Sequence, residues 1–136
     1  MSKIKVSAVS YTNTLPFLQG IKASPKILEQ IDLSVDVPAE CARKVIQNEA
    51  DLGIIPVAAL TKILDYHIVT DYCIGSDGAV DSVFVFSTKP IEQIRSLRLD
   101  PQSRTSNGLA RILLKHHWKL DVEVVMEGKA DAYVLI

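Results

Sequence analysis

"PAECARKVIQNEADLGIIPV", residues 38–57, decides the fold class. Pro38 suits the first helical position, where a missing N–H costs nothing. Glu40 falls near the positive end of the helix dipole. Cys41, Ala42, Val45 and Ile46 then recur at helical spacing. "DLGIIPV" reads as a short buried strand over residues 52–55, ended by Pro56. A helix that hands straight over to a short apolar strand is the rhythm of an α/β domain.

The same alternation extends in both directions. Upstream, Ile4, Val6 and Ala8 alternate with Lys5 and Ser7, a strand pattern. A short helix is expected from about Thr14, with Pro16 in its first turn, and a second strand over 33–37. Downstream, residues 58–64 read as a helix and 68–74 as extended chain. "GSDGAVDS", residues 75–82, is a turn region. "SVFVFS", residues 82–87, is the plainest strand, rich in β-branched and aromatic side chains. A short helix over 91–94 and a strand over 97–99 follow. "DPQSRTSNGLARILLKHHW" is then a loop and a helix with Leu109, Ile112 and Leu113 as its apolar stripe. Residues 122–125 and 132–136 are the last strands. The pattern predicts parallel α/β architecture with ligands at the carboxyl ends of strands, where the turns after Ser10, Ile55 and Leu99 lie. The final "AYVLI" is an apolar strand, which predicts a sheet incompletely represented by this sequence.

With 48% apolar residues, a chain of 136 residues can bury a core as one domain or two small lobes. A net charge of −1 gives no electrostatic reason to expect nucleic acid or an anionic membrane as partner. Cys41 and Cys73 lack metal-ligand spacing and read as two free thiols in a reducing compartment. No secretory leader or membrane-spanning run is present, so a cytoplasmic protein is expected. His67 stands alone, and the adjacent His116 and His117 would point about 100° apart on a helix. No Walker loop, GxGxxG or GxSxG occurs. Neither a metal nor a cofactor is expected, and oligomeric state is not encoded in any visible pattern.

Three stretches carry candidate chemistry. In "DPQSRTS", Ser103, Arg104, Thr105 and Ser106 cluster where a helix begins. Free backbone N–H groups and the dipole favour an anion there, and Arg104 can grip a carboxylate with two parallel hydrogen bonds. The same residues also suit a plain helix cap by Ser103 or Thr105. In "SYTNTLP", residues 10–16, Asn13 offers one acceptor and two donors, Thr12 and Thr14 add hydroxyls, and Tyr11 an aromatic wall. A cap by Asn13 or Thr14 fits the spacing equally. In the third, Ser76 and Ser82 flank a turn containing Asp77 and Asp81, and Ser82 opens the strand that follows.

"VSYTNTLPFLQGI", "VPAECARKVIQNEADLGIIPVAAL", "CIGSDGAVDSVFVFS" and "LDPQSRTSNGLARILL" occur in an order that resembles the chorismate dehydratase family, whose members open the futalosine route to menaquinone. The resemblance covers nearly the whole chain. It implies a two-lobed periplasmic-binding-protein type II-like fold, with residues 1–72 in one lobe and 73–136 in part of a second. It also implies a chain that continues past Ile136. The reaction it implies is loss of water from chorismate, a small dicarboxylate, to give 3-[(1-carboxyvinyl)oxy]benzoate without a cofactor. By that resemblance Asn13 and Ser82 act at the reacting ring. Tyr11, Thr12, Ser76, Ser103, Arg104, Thr105 and Ser106 bind substrate. Two rivals remain: a module on the same fold that binds a small carboxylate without chemistry, and a later menaquinone enzyme that makes dihydroxynaphthoate.

Overall fold

A computed structural model describes residues 2–136. The chain divides into two compact units, the first ending at Gly75 and the second running Ser76–Ile136.

The first unit is built on a three-stranded parallel sheet of β1 (Ile4–Val9), β2 (Ile31–Asp36) and β3 (Leu52–Gly53), in the order β2-β1-β3. β1 is central, and Val6, Ser7, Ala8 and Val9 are all buried, as a parallel strand covered on both faces must be. One tight 3-10 turn, Thr12–Thr14, leads into α1 (Leu15–Lys22), with Pro16 in the first turn as expected. α2 (Pro25–Gln30) brings the chain back to β2.

α3 (Pro38–Ile46) matches the opening stretch, with Glu40 in its first turn and Cys41 and Ala42 buried. It ends at Asn48, whose φ of 57° lies in the left-handed region that turns a chain out of a helix. Gly53 lets α3 lie close on β3. A Cβ there would stand 2.6 Å from Val45 Cγ2 and 3.2 Å from Ile55 Cγ2. The strand expected over 52–55 is shorter than its apolar run: the ladder covers only Leu52–Gly53, and Leu52 is exposed. The helix expected over 58–64 is a run of 3-10 turns, Val57–Lys62.

Residues 63–83 form neither helix nor strand, so the extended stretch expected over 68–74 joins no sheet among the described residues. Most of the large apolar side chains of residues 63–83, Leu64, Ile68, Val69 and Tyr72 among them, are exposed.

The second unit holds β4 (Phe84–Ser87), β5 (Ser96–Arg98), β6 (Glu123–Val125) and β7 (Ala132–Leu135), ordered β4-β7-β5-β6. β5 runs parallel to β6 and β7, but β4 is antiparallel to β7. The sheet is therefore mixed, with two parallel pairs and one antiparallel, within the mostly parallel α/β architecture expected. Which strand would run the other way was not readable, because strand patterning encodes burial and not direction. α4 (Arg104–Ile112) continues into a π-helical turn, Leu113–His117. Its buried face is Ala110 and Leu114, packed with Ile94, Leu97, Leu99, Ala132 and Val134. Leu109 and Ile112, expected in the stripe, are exposed. The run from 109 to 114 is apolar enough to offer two stripes. The helix shows the one in line with Ser103 and Asn107, which are tied to the preceding loop.

No helix among the described residues is long and apolar enough to cross a membrane.

Candidate functional site

In the first unit, the sheet's carboxyl end delivers β1 into the turn that carries Tyr11, Thr12 and Asn13. Ser10 N donates to Asp36 O at 2.8 Å, fixing the start of the turn, and Thr14 N donates to Tyr11 O at 3.0 Å, closing it. Thr14 is fully buried, whereas Asn13 is exposed. The capping alternative for this turn does not hold: neither the 3-10 turn nor α1 has a side-chain cap. Instead the Thr14 hydroxyl donates to Asn13 Oδ1 at 3.4 Å. That leaves the Asn13 amino group, with its two donors, without a partner among the described residues.

In the second unit, the chain leaving β5 enters a loop stitched by its own side chains. Asp100 Oδ1 accepts from Gln102 N at 2.8 Å. Asn107 grips the Asp100 backbone at both ends, accepting from its N–H at 3.0 Å and donating to its carbonyl at 2.7 Å. Ser103 is buried and caps α4, its Oγ accepting from Ser106 N at 3.2 Å. The cap expected at Ser103 is thus present. Arg104 follows as the first helical residue, half-buried, and makes no ion pair among the described residues. A cation at a helix N-terminus opposes the dipole, so an unpaired guanidinium there adds to the positive field of the free N–H groups. Thr105 and Ser106 stand half-buried beside it. This arrangement can accept a carboxylate.

Ser76 and Ser82 are both exposed in the segment before β4. Ser76 Oγ donates to Gly78 O at 3.0 Å. Ser82 does not open β4: it lies in the preceding turn, two residues short of Phe84, since the pairing with β7 begins only at Phe84.

The model of a family described as menaquinone biosynthesis matches residues 4–136. The chain belongs to that family. No curated protein matches it. Membership gives the chain a role in menaquinone biosynthesis, consistent with the chorismate dehydratase resemblance.

For this menaquinone-biosynthesis protein the candidate residues lie in three stretches: Tyr11, Thr12 and Asn13 in the turn after β1; Ser76 and Ser82 in the segment before β4; and Ser103, Arg104, Thr105 and Ser106 at the start of α4. Among the described residues no cluster of His, Cys, Asp or Glu has the makings of a metal site.

Sequence reasoning missed a polar cluster under the Asn13 turn. Asp36 Oδ2 accepts from Lys44 Nζ at 2.6 Å, Ser34 Oγ at 2.9 Å and Ser7 Oγ at 3.1 Å. The Lys44 ammonium, against the cost of partial burial, holds the Asp36 carboxyl below its ordinary value, helped by the two hydroxyls. Asp36 in turn raises Lys44. Burial pushes the Cys41 thiol up, away from reactivity. Asn107 was missed as well. Its only signal is an amide one helical turn beyond an expected cap.

Proposed function

We propose that the chain is a chorismate dehydratase on a two-lobed periplasmic-binding type II fold. Family membership supplies the pathway. The observation that carries the substrate class is Arg104, half-buried and unpaired among the described residues at the start of α4.

The reaction is a redox-neutral elimination. The ring hydroxyl of chorismate leaves with its bonding electrons, and the neighbouring ring carbon, which bears the enolpyruvyl ether, loses its proton. Those electrons complete the aromatic ring, and one water departs for each 3-[(1-carboxyvinyl)oxy]benzoate formed. The proton lost lies one double bond from the ring carboxylate, so donors on that carboxylate stabilise the negative charge that develops. Ser103, Arg104, Thr105 and Ser106 are assigned to it, through the guanidinium, the hydroxyls and the helix end. Asn13, with Thr12 and Tyr11, is assigned to the reacting ring, its free amino donors meeting the departing hydroxyl or the enolpyruvyl oxygens. Ser82 and Ser76 are assigned as further polar contacts. None of these groups is a good base near neutral pH. The substrate's own enolpyruvyl carboxylate is assigned as proton acceptor, with the protein fixing its approach. The two free thiols, Cys41 and Cys73, fit a reducing cytoplasm.

Ultraviolet absorbance tests this directly, because the cyclohexadiene of chorismate is replaced by an aromatic ring. The expected result is turnover by the wild-type protein and a loss of about 100-fold or more in kcat for Asn13→Ala. Near-normal rates in that variant remove Asn13 from the site. Chorismate bound but unchanged points to the non-catalytic binding module.

A further inference from the structure

We infer that Asp36 and Lys44 are a positioning pair for the Ser10–Thr14 turn, fixing where Asn13 is presented. The inference rests on the reading of Asn13 as a substrate-contacting residue.

Asp36 ends β2 and holds the neighbouring chain twice. Its carbonyl accepts from Ser10 N at 2.8 Å, where the turn begins. Its carboxylate accepts from Ser7 Oγ at 3.1 Å, three residues earlier on β1. Ser7 is fully buried. One residue therefore clamps both the strand that leads into the turn and the first amide of the turn itself. The clamp has a single orientation because Lys44 reaches from α3 to the same carboxylate oxygen at 2.6 Å and to Ser34 Oγ at 3.1 Å. The pair is largely covered, with 19% of the Asp36 side chain and 21% of the Lys44 side chain exposed. A largely covered ion pair is a weak source of stability, and the role inferred for this one is to fix the geometry of the Asp36 side chain. The other groups facing it are Ser7 on β1, Ser34 on β2, Glu40 and Cys41 on α3, and Glu49 just beyond α3, with Lys5 and Asp32 lining the pocket that Lys44 and Ser34 share. Cys41 Sγ lies 3.8 Å from the same Asp36 carbonyl that receives Ser10. Only Lys44 among them supplies a positive charge to the carboxylate. Neutralising either member leaves only the Ser7 and Ser34 hydroxyls to hold the Asp36 side chain, and the backbone bond to Ser10, at the end of the ladder, loosens first while the rest of the sheet stays paired.

Amide hydrogen exchange and steady-state kinetics on the whole chain test this together. In Asp36→Asn and Lys44→Met, exchange at Ser10 and Thr14 is expected to rise tenfold or more. Leu99 in the second unit, bonded to Val125 O, is expected to stay within twofold of wild type. Lys44→Arg, which keeps the charge, restores protection. In the wild type the protection holds above the lowered pKa of Asp36 and fades as pH falls through it, after correction for intrinsic exchange. For chorismate, kcat falls tenfold or more with KM changed by less than threefold, because the carboxylate-binding turn is untouched. Protection at Ser10 and Thr14 that is unchanged in both neutralising variants overturns the inference. So does protection lost by one common factor along all of β1, which marks the pair as merely structural. Absence of turnover in the wild type overturns the dehydratase reading instead, and the exchange result still decides the pair.

Discussion

The two turns that carry the candidate residues are held in opposite ways. The Asp100 loop is stitched by neighbours: Gln102, Ser103, Ser106 and Asn107 all lie within seven positions of Asp100, and four side-chain-to-backbone bonds join one backbone bond, Ser103 N to Asp100 O. The Ser10–Thr14 turn is anchored from afar, by Asp36 on another strand and by Lys44 on a helix beyond it. A self-stitched loop survives changes elsewhere in its unit. A remotely anchored one inherits every shift of the elements that hold it. In the elimination proposed above the difference suits the tasks, with carboxylate recognition on the self-stitched loop and ring chemistry on the turn that the sheet and α3 position.

The largest expected effect breaks the self-stitched loop. Asn107→Ala removes both bonds to the Asp100 backbone; the carbonyl keeps its bond from Ser103 N, but the part-buried N–H must find another partner, at a cost of about 2 kcal/mol. Urea unfolding followed through Trp118, the one tryptophan, which packs against the second unit's core, reads this as a lower midpoint. Exchange at Ser10 in the first unit should not move. If it does, the two turns are not independently held.

Next comes the remotely anchored turn. Gly53→Ala places a Cβ 2.6 Å from Val45 Cγ2, on the residue beside Lys44. Valine is stiff at χ1, so α3 must yield, at a cost of about 1–2 kcal/mol. Because α3 carries Lys44, amide exchange should quicken both at Ile54, bonded to Ser7 O, and at Ser10. A substitution that destabilises the unit while sparing Ser10 would show that the turn does not depend on where α3 sits.

This contrast also explains what the sequence made legible. α3, β1 and the cap at Ser103 were readable because their causes are local: proline at a helix start, strict alternation, a serine three residues before the amide it caps. The antiparallel placement of β4, the rotation of α4 onto Ala110 and Leu114, and the Asp36–Lys44 pair were not. Each depends on a partner met only after folding. Gly53 carried no distinct signal within its apolar run, though it marks a close approach by α3. Of the site, the polar turn after β1 could be found from its composition. What holds it could not, since Asp36 and Lys44 lie on elements more than twenty residues away from that turn.

The smallest expected effect on stability has the opposite sign and separates recognition from folding. Arg104 begins α4, where the dipole favours negative charge and no acidic residue occupies the first turn. A residue kept there for stability should be neutral or acidic, so Arg104→Glu is expected to stabilise the second unit by about 0.3–1 kcal/mol. The same change reverses the charge offered to a carboxylate, and chorismate affinity measured by calorimetry should fall at least tenfold. Stability gained as binding is lost identifies Arg104 as a residue retained for its ligand. Stability lost instead would mean that the guanidinium supports the fold, and the carboxylate would have to be sought elsewhere than at this helix end.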